Sequence, residues 1–360
     1  MRRDFMEYEF ICSSFTACHR SGGENEKESH GAILNFYLLG VRQPAFAQDS
    51  KLIAEAKKEG GKVVVYSSME TSIAESVGNA FKNKIGIEME FWRASSTKVM
   101  DRALNEHRAG RPLADVVVTI ADPMLIMQRE GVFAKYDSPA AAAYPKELID
   151  PSLGPSYRNL LIGIVYNKNV IRPGDAPASL EDLVKPQYKG KLVMPDPTQH
   201  TTTTQWLASL HKLMGKEKAE KYIRDLAATK PTLVESLLPP VERAATGEIP
   251  IAITLVHYTY VFGQTGAPLD YVRLPKMLGD GNYIALNNKA PRPNAGKLFI
   301  DYFLDDESMK IMAKLGEFVN RKGIYPPLPD ADKIQFVPMD KFDTKAYAEK
   351  KKEFQRIFLR

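Results

Sequence analysis

Only two cysteines occur in 360 residues, Cys12 and Cys18, and both fall near the start of the chain. The rest has no thiol, which excludes a disulfide framework, a thiolate metal centre and a cysteine nucleophile from its body. No run of about 18 consecutive apolar residues occurs, so no stretch reads as a membrane-spanning helix. Charge of one sign is not concentrated either. There are 49 Lys and Arg against 44 Asp and Glu, a net +5, and no basic block or zinc-finger spacing points to nucleic acid. A P-loop, a nucleophile elbow and a G-x-G-x-x-G loop are all missing, which removes the commonest signatures of nucleotide and acyl-transfer chemistry.

What is present is ordinary for a globular protein, with 44% hydrophobic and 26% charged residues. The length suits one large or two medium domains. Residues 1–47 differ from the rest. Gly31 to Val41 is a short apolar run followed by Ala45-Phe46-Ala47, the pattern of a secretory signal with an A-x-A cleavage site. Gln48 is then the expected mature start. Met1 to His30 is too long and too acidic for the charged head of such a signal, and reads as a start codon set too far upstream. Neither cysteine ends the apolar run, so no lipoprotein anchor is expected. Export of a cysteine-free body points to the periplasm of a Gram-negative bacterium.

From Ser50 the chain alternates helical and strand patterns. Ser50–Gly60 is an amphipathic helix closed by Gly60-Gly61. Lys62–Tyr66, Gly86–Trp92 and Ala114–Ile120 read as strands, with helices over Thr71–Lys84 and Ser95–Arg108 between them. A helix opening at Asp122-Pro123, with the aspartate as N-cap, follows the third strand. This βα alternation predicts a parallel doubly wound sheet. A second unit follows, with strands at Leu160–Asn167, Gly190–Met194 and Ile249–Val256, and helices at Thr204–Met214, Lys216–Thr229 and Pro240–Thr246. Short strands at Tyr271–Leu274 and Tyr283–Leu286, helices at Asn294–Phe303 and Glu307–Leu315, and a last helix at Glu349–Leu359 complete the pattern.

Gly247 to Gly266 draws the functional reading together. Its apolar, β-branched strand ends in His257, Tyr258 and Tyr260, and in open α/β sheets ligands bind just past the carboxyl ends of the strands. An imidazole and two phenols there suit a metal or a polar solute; the same residues also suit packing and a turn cap. Hydroxyls recur at other strand-to-helix junctions. Ser67, Ser68 and Thr71 follow the first strand, Ser96 opens the next helix, and Thr198, His200 and Thr201 lie in the loop after Met194. Free N–H groups and the helix dipole at such junctions favour an anion, although Ser and Thr are also ordinary N-caps. His107 and His211 read as solvated helix-surface residues.

Tyr66-Ser67-Ser68, Ala114-Asp115-Val116-Val117, Val165-Tyr166-Asn167, Tyr188-Lys189-Gly190-Lys191 and Gly247-Glu248-Ile249-Pro250 come in an order that resembles the type II periplasmic solute-binding proteins of ABC transporters, in the ferric-iron-binding branch. The resemblance spans residues 50 to 325. It implies an α/β fold of two lobes, each a mixed or parallel sheet flanked by helices, with a ligand cleft between them. Lobe one is expected at 62–161 with 272–325, lobe two at 162–271, and a C-terminal segment, 326–360, packed across both. It further implies a monomer with no catalytic activity and no required cofactor, delivering its solute to an inner-membrane ABC permease. Fe3+ is implied as a transported ligand, through Tyr258, His257 and Glu70. Ferric ion favours phenolate and carboxylate oxygens. Here the family's glutamate falls on Ile120, its tyrosine pair on His257-Tyr258, and its anion-holding arginine near Leu160. The hydroxyl-rich junctions suggest instead an organic or phosphorylated anion, with Tyr258 or Tyr260 as a wall. The rival from another class is a hydrolase or transferase on the same fold, for which no nucleophile is evident.

Overall fold

The computed structural model describes residues 50–359, so the expected leader, its cleavage site and both cysteines lie outside the described residues. In order, the chain forms α1 (Ser50–Lys58), β1 (Lys62–Ser67), α2 (Thr71–Ile85), β2 (Glu88–Arg93), α3 (Ser96–Arg108), β3 (Val116–Ile120) and α4 (Ala121–Arg129). The two-residue strands β4 (Ile149–Asp150) and β5 (Gly154–Pro155) make a small hairpin before the long β6 (Arg158–Asn167). Then come β7 (Leu192–Pro195), α5 (Thr201–Ser209), α6 (His211–Met214), α7 (Lys216–Ala228), β8 (Thr232–Val234), α8 (Leu238–Thr246), β9 (Ile251–Leu255), α9 (Tyr258–Gly263) and β10 (Leu269–Tyr271). The chain closes with β11 (Lys276–Leu286), α10 (Pro293–Phe303), α11 (Asp306–Lys314), β12 (Phe318–Val319), β13 (Gln335–Pro338) and α12 (Thr344–Phe358).

The strands run β2-β1-β3-β11-β6-β9-β7-β8, with β10 and β12 on β6 and β13 on β11. β1, β2 and β3 are mutually parallel, as are β7, β8 and β9. The two sets are joined by β11 and β6, which run antiparallel to each other and to the sets they join, while β13 pairs in parallel with β11. The sheet is therefore mixed, not the purely parallel one that the βα alternation predicts. The reason is burial. β6 and β11 are covered on both faces almost throughout, and a strand buried on both faces reads as one apolar run whichever way its neighbours point. The first residues of β6 pair with β11 and β12, and its last residues with β9 and β10. One strand thus belongs to both halves of the sheet.

The packing follows the same division. One core surrounds β6, β7 and β9 with α5, α7 and α8, including Trp206, Leu226 and Val241. A second lies between β1 and β3 and the helices α2, α10 and α11, where Phe81 meets Phe299 edge-on at 5.2 Å. A third covers the opposite face of β1 and β3 with α3 and α4. Among the described residues no helix is long and apolar enough to cross a membrane.

Several boundaries differ from the expectation. β11 extends from 276, not 283, because Gly279, Asp280, Gly281 and Asn282 hide its first half from an apolar pattern. The glycine at 279 is required by packing: a Cβ there would lie 2.7 Å from the Leu160 carbonyl oxygen. α4 begins at Ala121 with Ile120 as N-cap, and Asp122 makes no capping bond. The supposed turn after His257 is the short helix α9. α12 starts at 344 rather than 349. His211 is not simply solvated, since its Nε2 lies 2.7 Å from Asp340 Oδ2. His107 is half-buried, and its Nδ1 has no partner among the described residues.

Replacing Gly279 with alanine forces β11 away from β6, and overpacking of this kind costs about 1–3 kcal/mol. Urea unfolding should show that loss, and a Gly279→Ala variant as stable as the parent would contradict the close approach of the two crossing strands.

Candidate functional site

Three loops that are far apart in sequence meet at the amino end of β6. The β1–α2 loop brings Glu70, the α11–β12 turn brings Glu317, and the end of β9 brings His257. One ligating atom from each lies within 4.8 Å of the others. Arg158, the first residue of β6, lies against both acids. Its Nη1 is 3.1 Å from Glu70 Oε2 and 2.8 Å from Glu317 Oε2, and its Nη2 also donates to Glu70 at 3.2 Å. Arg158 and Glu317 are each 2% exposed in their side chains, whereas Glu70 is 43% exposed. The pair Arg158–Glu317 is therefore an interior ion pair, and Glu70 is the member that faces outward.

The charges set each other's protonation. Burial opposes the charge on Arg158, but Glu317, Tyr157 and Glu70 raise its affinity for the proton and keep the guanidinium charged. Burial also pushes the Glu70 carboxyl up, but Arg158 and His257 beside it prevail and hold it below its ordinary range. His257 is buried, with its ring 4.4 Å from that of Tyr258. Burial, then the charges of Glu70 and Glu317, push the Tyr258 phenol up to about 12. Tyr258 is therefore a neutral donor at neutral pH. Tyr260 packs against Gly316, where a Cβ would come within 2.8 Å of its ring. With φ at +99°, Gly316 suits only glycine, and it lets the turn carrying Glu317 sit against α9.

Ser67 is fully buried, and its Oγ accepts the Met69 N–H at 2.9 Å, fixing the bend before Glu70. The half-buried Ser68 shares a 2.7 Å hydrogen bond with Thr119 at the end of β3. Glu70 is the backbone N-cap of α2 but its side chain does not cap. Thr71 is exposed in the first turn of α2. The first-turn N–H groups of that 15-residue helix thus have no side-chain cap, and they carry its positive dipole end.

The other expected residues are placed differently. Ser96 is the first residue of α3, but the capping hydroxyl belongs to Ser95, which accepts from Lys98 N–H at 3.4 Å. Thr198 is buried and its N–H donates to Asp196 Oδ1 at 2.7 Å. His200 caps α5, with Nδ1 2.8 Å from Thr203 Oγ1. Burial, with the charge of Lys351, holds its imidazole below the ordinary range. Thr201 is exposed at the start of α5. Most hydrogen bonds in this turn are local; two reach farther, Asp196 N–H to the Val234 carbonyl at 2.7 Å and Lys351 of α12 to the Gln199 carbonyl at 3.1 Å. Ile120 and Leu160 supply no ligand. Arg158, Glu317 and Thr119 were missed by sequence reasoning. The first has a visible signal, an arginine directly ahead of an apolar strand; Glu317, wedged between Gly316 and Phe318-Val319, and Thr119, inside a valine run, have weaker ones.

Residues 111–261 match the family described as bacterial extracellular solute-binding protein. The match spans 151 of the 360 residues. A putative 2-aminoethylphosphonate-binding periplasmic protein of Salmonella typhi is 28% identical over 151 residues, 42% of this chain and 43% of that one. Among solved structures, the periplasmic binding protein AfuA of Actinobacillus pleuropneumoniae with fructose-6-phosphate bound superposes with a TM-score of 0.64 at 22% identity, covering 82% of this chain and 97% of that one. Iron-bound HitA of Pseudomonas aeruginosa gives 0.65 at 20% identity, covering 82% and 98%. These likenesses show the type II periplasmic binding fold. The relatives named here are periplasmic binding proteins.

Arg158→Met leaves Glu317 buried without its counter-charge, and breaking such a pair costs about 3–5 kcal/mol. The Glu70 carboxyl is held below its ordinary range by Arg158, so its contribution to stability is present at neutral pH and is lost as pH falls through that lowered value. The variant lacks this contribution, so the stability gap should narrow between about pH 7 and about pH 3. Denaturant unfolding at both values checks this, and a gap independent of pH would contradict the ion pair.

Proposed function

We propose that this protein is the periplasmic capture component of an ABC importer for a small phosphonate or phosphate-bearing organic solute, and that it does not carry ferric ion. The carrying observation is the Arg158 guanidinium, within 3.1 Å of both carboxylates that a metal would need. A trivalent cation at the same place would meet a fixed positive charge and acids already engaged. Two carboxylates and one guanidinium leave one negative charge, too little for an ion that favours several anionic oxygens. The Tyr258 phenol, pushed up to about 12 by burial and by Glu70 and Glu317, is poorly prepared to act as a phenolate.

The anionic group is assigned to the β1–α2 junction, where Ser68 and Thr119 offer hydroxyls and the amino end of α2 offers N–H groups. The remaining negative charge near Glu70 favours a solute with an ammonium at its other end, as in 2-aminoethylphosphonate. Ser67, Glu70 and His257 shape the pocket, with Tyr258 and Tyr260 as its wall. Lobes at 62–161 with 272–325 and at 162–271 would close on the solute, because only the closed state lets it touch both. One observation favours the ferric reading: Glu70, His257 and Glu317 offer ligand atoms within 4.8 Å of one another.

Titration calorimetry with 2-aminoethylphosphonate, ethylphosphonate and ferric citrate separates the two readings. The aminophosphonate should bind most tightly, and Ser68→Val should weaken it by about tenfold, the loss of a charge-assisted hydrogen bond of about 1.5 kcal/mol. Ferric loading should give no visible charge-transfer band. A band that appears with ferric ion and vanishes in Tyr258→Phe would establish iron instead.

A further inference from the structure

β11 carries another buried carboxylate that the Arg158 cluster does not use. Asp280 pairs across the ladder with Leu160 of β6 and is 8% exposed. Among the described residues its carboxylate accepts from the Gly281 backbone N–H but has no side-chain partner and no cation within ion-pairing distance. Asp122, in the first turn of α4, adds repulsion, and Lys341, after β13, gives only partial relief. Tyr347 of α12 lies in the field of the same two aspartates, and its buried hydroxyl has no partner. Burial and Asp122 together push the Asp280 carboxyl up to about 7.

A cavity of about 410 Å³ opens beside this residue. Gly279–Gly281 form one wall and the 147–151 hairpin segment another, with Gln205 and the 336–341 segment opposite. The other half-buried acids on its wall are already matched: Asp340 pairs with Lys212 and His211, and Asp150 accepts the N–H groups of its own turn and the Ser152 hydroxyl. Glu147 is exposed. Gln205 gives its Nε2 to the Asp340 carbonyl, which leaves its Oε1 as an acceptor. The cavity therefore combines a buried carboxylate that lacks an ion-pair partner with neutral acceptors, apolar surface from Ile149, Phe336 and Met339, and two ammonium groups on its wall, Lys212, which is held by Asp340, and the exposed Lys341.

We propose that this cavity binds a small organic monocation, a protonated primary amine, with Asp280 as its counter-charge. One available carboxylate suits a single positive charge; calcium and magnesium take six or more oxygens or demand octahedral geometry. An ammonium brings three donors, which match Asp280 and the neutral acceptors beside it, and a few carbons fill the apolar side. Binding requires the ionised carboxylate, so an Asp280 that is protonated beforehand releases its proton when the amine enters. The site lies on a crossing strand, and it stands whether or not the solute is a phosphonate.

The test is calorimetric titration of the full chain with ethanolamine. Binding should saturate at about pH 8, weaken about tenfold at about pH 6 as the proton competes, and be lost in Asp280→Asn. With the unaltered protein at about pH 6, two buffers of different ionisation enthalpy should reveal close to one proton released per amine bound. The absence of saturable binding at the higher pH would overturn the proposal, as would undiminished binding by Asp280→Asn. Binding without proton release would assign the amine to some other acid.

Discussion

A guanidinium with 2% of its surface exposed can persist in a protein interior only if its charge is answered nearby. Arg158 is answered twice, by Glu317 inside and by Glu70 toward the opening. That requirement ties the first residue of β6 to a loop 88 positions earlier and to a turn far later in the chain. The approach of Gly316 to Tyr260 follows from the same convergence, since the turn bearing Glu317 must reach Arg158 while α9 lies beside it. The ion pairs also determine which chemistry is available. Without Arg158, Glu70, His257 and Glu317 would be an acidic pocket suited to a highly charged metal; with it they carry a small net negative charge.

The placement of Arg158 depends in turn on the two crossing strands. The first residues of β6 pair with the middle of β11, and the two strands then feed opposite halves of the sheet. Their close approach relies on Gly279, which meets the Leu160 carbonyl, and on Gly281, where a Cβ would be 2.6 Å from Ser156 Oγ. Strand ends from the parallel sets on either side then point their loops toward this junction. Chemistry gathers at such a place because strand termini leave backbone groups and polar side chains unpaired by the ladder.

The sequence was legible wherever burial imposed a period. The buried strands at β1, β3, β6, β7 and β9 and the helices α2, α3, α7 and α10 all follow from apolar spacing and punctuation by glycine and proline. The direction of β6 and β11 was not legible, since an apolar run buried on both faces carries no sign of parallel or antiparallel pairing. Half of β11 was hidden for a related reason: Gly279 and Gly281 are there to let another backbone in, and a propensity reading takes them for a loop. Within the site, His257, Tyr258 and Tyr260 could be named because they follow the end of a recognisable strand, whereas Glu70 came only from the family resemblance. Glu317 could not, since its role comes from a contact with Arg158 that no local pattern encodes. The threonine-rich loop after β7 shows the opposite error. Its hydroxyls and imidazole look poised for a ligand, but Thr204 bonds the Pro197 carbonyl and His200 bonds Thr203, which is what an N-cap in a tight turn requires.

Three ligating side chains within 4.8 Å are therefore weaker evidence for a metal than they first suggest. What matters is the charge that remains after the protein's own cations are counted, and how readily each donor gives up its proton. Glu70 is held ionised by Arg158 and His257, so it can receive a positive group. Tyr258 is held protonated by burial and by the same acids, so it can donate to an anionic or neutral oxygen. An acceptor and a donor thus stand beside each other under one set of charges, and beside the uncapped amino end of α2. That combination suits a solute with poles of opposite sign better than a bare ion of either sign. The arginine that weakens the case for a metal is also what keeps the receiving carboxylate charged.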